Sequence, residues 1–73
     1  MNKSIYSNES KYLVEQLKQA RRETGFNQKK VAKLICVSQS YISKVESGQI
    51  RIDVIQLKHL AKVYGKSIGF FLK

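Results

Sequence analysis

The sequence predicts an all-α domain of five helices, and three observations lead there. Apolar residues recur at three- and four-residue spacing rather than in alternation. Glycines stand just after three of the periodic stretches, where a helix stops. Residues able to cap a helix stand before several of them, and the 73-residue chain has no proline to interrupt one. At 42% hydrophobic residues the chain is too apolar for a disordered tail, and its length allows one small core. Residues 9–73 are expected to form that domain. Residues 1–8 are expected to be a flexible polar arm, apart from Ile5 and Tyr6.

Helix 1 starts at Ser7 or Asn8 as a cap, with Glu9 favourable at the positive end of the helix dipole. Leu13, Leu17 and Ala20 mark its buried face, and Gly25 ends it after Thr24. Asn27 caps helix 2, with Phe26 and Val31 spaced as a hydrophobic staple. Val31, Ala32 and Ile35 face inward, and Cys36 and Val37 make the turn. Ser38 caps helix 3, where Ile42 and Val45 point inward and Gly48 terminates. A loop follows from Gln49 to Ile52. Asp53 and Gln56 form a capping box for helix 4, whose core face is Val54, Leu57, Leu60, Ala61 and Tyr64. Gly65 stops it, and Ser67 caps a last short helix, Ile68 to Leu72.

The chain carries 14 Lys and Arg against 5 Asp and Glu, a formal net charge of +9. That excess implies an anionic partner, though charge alone does not separate DNA, RNA and an acidic membrane. Cys36 and His59 are the only residues of their types, so no disulfide or zinc cluster forms within the chain, and no metal or cofactor is expected. There is no nucleophile–base pair, carboxylate dyad or phosphate-cradling glycine loop, so no enzyme is expected. His59 is placed on the outer face of helix 4, near Ile55, without a chemical partner. The sequence has no secretory leader and no apolar run near the roughly 20 residues that span a bilayer. It is too short for a separate sensing domain, and a cytoplasmic location is expected.

Two short helices joined by a tight turn, Phe26 to Gly48, have the organisation of a helix-turn-helix. With Ile42 and Val45 inside, Gln39, Ser40, Tyr41, Ser43 and Lys44 remain for the outside of the second helix, about residues 38–47. Gln can bond an adenine edge bidentately and Lys can donate to guanine O6 and N7. These five are the candidate base contacts. Gln28, Lys29, Lys33, Arg22 and Arg51 are the candidate phosphate contacts, with Lys30 beside them.

From about Lys11 to Leu72 the chain resembles the Cro/cI-type repressor-like family, the XRE group, and the resemblance rests on FNQKKVAKLICVSQSYISKVESG and its flanks. It implies a five-helix lambda-repressor-like domain that reads double-stranded DNA. It implies that Gln39, Ser40 and Lys44 are base readers, and that Tyr41 touches a phosphate or a thymine methyl. Gln28 would bond a phosphate and brace Gln39. Arg21 and Glu46 would form a partly buried ion pair between helix 1 and the end of helix 3. Such proteins usually have glycine where this chain has Cys36; a left-handed cysteine there costs roughly 1 kcal/mol. A redox role for Cys36 would need a site that favours thiolate.

Proteins of this type bind pseudo-palindromic operators as dimers. Ile55, Ile68, Phe70, Phe71 and Leu72 are more apolar residues than helices 4 and 5 need for a small core. Ile55 and Phe71 are expected at a two-fold interface with a second copy, while Phe70 and Leu72 are expected to close the core. The reading is a bacterial or phage-type transcriptional regulator, most simply a repressor. The alternative is an antitoxin or another protein-interaction partner built on the same domain. An RNA-binding module lacks a stacking sheet or GXXG loop here. A membrane-surface helix is disfavoured because the apolar face of helix 1 is needed for the core.

Overall fold

A computed structural model describes residues 8–72, with the side chain of Asn8 excepted. The expected N-terminal arm lies outside the described residues, save that Asn8 already belongs to the first helix. Four α-helices follow in order: α1 (Asn8–Thr24), α2 (Gln28–Leu34), α3 (Gln39–Glu46) and α4 (Val54–Tyr64). A single 3-10 turn, Ile68–Phe71, closes the chain. Among the described residues there is no strand, as the periodicity requires.

Three of the expected helix starts are capped as the chemistry dictates. The Asn27 side chain accepts from the Lys30 amide at 2.8 Å, Ser38 Oγ from the Tyr41 amide at 3.0 Å, and Asp53 Oδ1 from the Gln56 amide at 2.8 Å. These bonds satisfy amides that the first turn of a helix leaves without partners. The capping box at α4 is only half made. The Gln56 side chain turns to His59, whose Nδ1 lies 3.2 Å from Gln56 Oε1. Ser67 stands before the last turn but makes no side-chain capping bond.

Ten side chains from the four helices and Phe71 fill the core: Leu17 and Ala20 from α1, Val31 and Ala32 from α2, Ile42 and Val45 from α3, and Leu57, Leu60, Ala61 and Tyr64 from α4. Leu13, Phe26 and Ile35 pack at its edge, so the inward faces expected for α1, α2 and α3 are observed. Three expectations fail at the ends of elements. Val54, placed on the core face by its spacing from Leu57, is 63% exposed. Periodicity gives a side chain its direction but not a neighbour to meet, and Val54, the first residue of α4, stays mostly uncovered. Leu72, expected to close the core, is 54% exposed, whereas Phe71, expected at an interface, is fully buried. The last element is a 3-10 turn, in which residues three apart eclipse. Ile68 and Phe71 therefore share the inward side, while Leu72 lies past the end of the turn in extended backbone and points away. Phe71 has no surface to offer a second copy. Phe70 is half-buried with its ring edge-on to Phe71, centroids 5.1 Å apart.

Candidate nucleic-acid interface

The bend between α2 and α3 sets the angle at which α3 is presented. α2 ends in a Schellman arrangement: the Val37 amide bonds the Ala32 carbonyl at 2.9 Å, and the Cys36 amide bonds Lys33 at 3.3 Å. Closing both bonds requires a left-handed residue, and Cys36 takes φ +61°. The same two bonds close α3 around Gly48 and α4 around Gly65. Cysteine thus fills a role that glycine performs twice elsewhere in the chain, with its thiol exposed. Cys36→Gly is expected to stabilise the domain by about 0.5–1 kcal/mol, the left-handed strain relieved less the added freedom of glycine when unfolded. Urea denaturation with an unchanged m-value checks this; a lower midpoint would contradict it.

α3 packs most extensively on α2 and also against α1. Ile42 and Val45 anchor it, and Gln39, Ser40, Ser43 and Lys44 are exposed on its outside. Tyr41 differs from them. Its ring is half-buried against the core, and burial first, then the Asp53 charge, pushes its phenol pKa up. Lys29, Lys30 and Lys33 are exposed on α2, Arg22 at the end of α1, and Arg51 in the loop after α3. Lys30 Nζ lies 5.7 Å from the centre of the Phe26 ring. Of the chain's five acids, Glu9, Glu15 and Glu23 sit on α1, Asp53 caps α4 and Glu46 is buried. The outer faces of α2 and α3 therefore present cations and amides with no exposed carboxylate among them.

The position of α3 is fixed at its end by one polar node. Arg21 Nε meets Glu46 Oε2 at 2.7 Å and its second guanidinium arm meets Oε1 at 3.0 Å, a bidentate pair. The remaining arm donates to the Phe26 carbonyl at 3.1 Å. Hydrogen bonding to Glu46 raises the Arg21 pKa further. Gln28 Nε2 donates to the same Glu46 Oε1 at 3.0 Å. The resemblance implies that Gln28 bonds a phosphate and braces Gln39; in the DNA-free structure its side-chain amide donates to Glu46. Three helices thus meet on one buried carboxylate. Tyr64 lies near enough for the Glu46 charge to add to the burial that pushes its phenol well above the usual range. The sequence places Tyr64 on the core face of helix 4 and singles out Gln28, but nothing in it signals that either would meet Glu46. A glutamine at a helix start reads the same whatever it touches, and only tertiary packing brings it to residue 46.

The helix-turn-helix family model HTH_3 matches residues 17–71, and the chain belongs to this family of Cro/cI-type, XRE-group helix-turn-helix domains. Domains of this family are of DNA-binding type. Among solved structures the chain is similar to apo-HppE, with a TM-score of 0.81 and 25% identity over 90% of this chain and 37% of that one. FeII HppE with substrate gives 0.79 and 26%, over 88% and 37%. CoII HppE with Tris gives 0.80 and 25%, over 92% and 38%. The chain thus spans little more than a third of HppE. No curated protein matches it. Among the described residues no three of His, Cys, Asp and Glu are grouped to hold a metal, and no helix is long and apolar enough to cross a membrane.

Proposed function

We propose that this domain is a sequence-specific transcriptional repressor that reads the major groove of double-stranded DNA with α3, as a homodimer on a pseudo-palindromic operator. The observation that carries the reading is the outer face of α2 and α3. Gln39, Ser40, Ser43 and Lys44 stand free on a helix held by a buried bidentate ion pair, and lysines border them with no exposed acid between. Gln39 and Lys44 would read base edges, with Ser40 and Ser43 between them, and Tyr41 would reach the groove wall with its hydroxyl. Lys29, Lys33, Arg22 and Arg51 would hold phosphates. Gln28 would act on the register indirectly, by fixing Glu46.

Ile50, Val54 and Ile55 form an exposed apolar stretch where the loop after α3 enters α4. We place the contact with the second copy there, with Ile55 at its centre and without Phe71. The chain is read as a cytoplasmic binding domain, of bacterial or phage type and without catalytic activity. Its similarity to part of HppE is one of fold, and function resides in sites carried on folds.

Fluorescence anisotropy tests this on the duplex upstream of the protein's own gene, beside a scrambled duplex and single-stranded RNA. Specific binding should persist at physiological salt on the upstream duplex. Gln39→Ala and Lys44→Ala should each cost about 1–3 kcal/mol there and little on the scrambled duplex. Equal binding on all three that vanishes with salt would show that only the net charge is read.

A further inference from the structure

A shallow groove of about 440 Å³ lies where the end of α2 meets α4, lined by Leu34, Ile35, Cys36, His59, Lys62 and Val63. Its floor is mostly apolar. Leu34, the last residue of α2, is 48% exposed at its edge, although a leucine gains by burial. No acid lines the groove, whereas the cleft between α1 and the end of α3 includes Glu15 and Glu46. Lys62 lies in the wall, Lys58 stands one helical turn before it, and Lys33 precedes Leu34. All three carry no ion pair among the described residues. An apolar floor thus has a positive rim with nothing to neutralise it.

We propose that this groove docks an acidic amphipathic helix of a partner protein, one leucine-sized side chain entering beside Leu34 and Val63 and carboxylates facing Lys33, Lys58 and Lys62. Charge complementarity selects the occupant. DNA would satisfy the lysines but has no side chain to fill an apolar floor. A second copy of this chain on a two-fold axis would set one positive rim against another. The described residues offer no sheet edge on which an extended strand could add, which leaves a helix laid into the groove. The groove lies apart from the outer face of α3, so its apolar contact does not depend on the DNA-reading assignment; Lys33 is the residue that the two surfaces share.

Cys36 lines the groove and is the only cysteine, so its reaction with a thiol reagent reports occupancy. The probe is a synthetic helical peptide with leucines at i and i+4 flanked by glutamates. A matched peptide with serine for leucine runs beside it, both without DNA and at physiological salt, where long-range attraction is screened. The leucine peptide should bind and slow Cys36 modification several-fold, while the serine peptide does neither. Leu34→Ser and Lys62→Glu should each weaken binding about tenfold, and Leu72→Ser, an exposed position outside the groove lining, should not. Circular dichroism checks that each variant is folded. Equal binding of the two peptides, or binding indifferent to Leu34→Ser, would overturn the proposal. So would protection of Cys36 that rises with protein concentration alone, since the occupant would then be a second copy.

Discussion

Replacing Arg21 by alanine is expected to lower stability by about 2–4 kcal/mol, a fall in Tm of about 10–30 °C for a domain this small. The side chain of Glu46 is 6% exposed and that of Arg21 17%, so the pair is largely out of water. Removing the guanidinium leaves a buried carboxylate with only the Gln28 amide as a side-chain partner, and it also strips the Phe26 carbonyl of its donor. The loss is dominated by the stranded charge, not by the worth of the pair. A double variant, Arg21→Met with Glu46→Leu, should therefore be more stable than Arg21→Ala alone. Lysine at position 21 should rescue poorly, because a single ammonium does not reproduce the two-armed contact. Thermal melts of the three variants decide this. A Tm within a few degrees of the parent for Arg21→Ala would show that the node carries little of the fold.

Phe71→Ala should cost about 3–5 kcal/mol, the range for deleting a fully buried phenylalanine. Phe71 is inserted beneath α1 and α4 by a turn that is otherwise held from outside. Gln16 Nε2 bonds the Phe70 carbonyl at 3.3 Å, and Lys66 Nζ reaches Glu23 at 2.9 Å and lies 4.7 Å from the Phe70 ring centre. Those contacts are partly exposed and weak singly, so the aromatic core contact dominates. The same substitution separates core from interface. A core residue lowers the melting point at every protein concentration, whereas an interface residue would chiefly weaken association. Leu72→Ala, one residue away, should change stability by less than about 0.5 kcal/mol.

The fold was legible where local chemistry decides it. Asn27, Ser38 and Asp53 cap because their side chains reach an amide three residues on, a geometry independent of the rest of the chain. Leu17, Ile42 and Leu60 face inward because helical spacing aligns them with other apolar residues. Legibility ended where the outcome depends on what lies opposite. Val54 keeps the right spacing but stays mostly uncovered. Phe71 and Leu72 exchange places because the last turn ends at Phe71 and leaves Leu72 in extended backbone, and four residues are too few for periodicity to show where the turn stops. Within the candidate site, the exposed polar face of α3 followed from the sequence except at Tyr41, and the left-handed conformation of Cys36 was signalled only by the glycine that the resembled family has there. The attachment of Gln28 to Glu46 and the packing of the Tyr41 ring did not, since both arise between elements distant along the chain.

Selection from a pool of randomised duplexes at physiological salt tests, without knowledge of the operator, whether α3 reads sequence. A dimer reading through α3 predicts an enriched site with two inverted half-sites about 10 base pairs apart, centre to centre. It also predicts that Lys44→Ala relaxes the preference at one symmetric pair of positions while leaving the others intact. A pool that stays random through repeated rounds, or a consensus unchanged in both Gln39→Ala and Lys44→Ala, would contradict it.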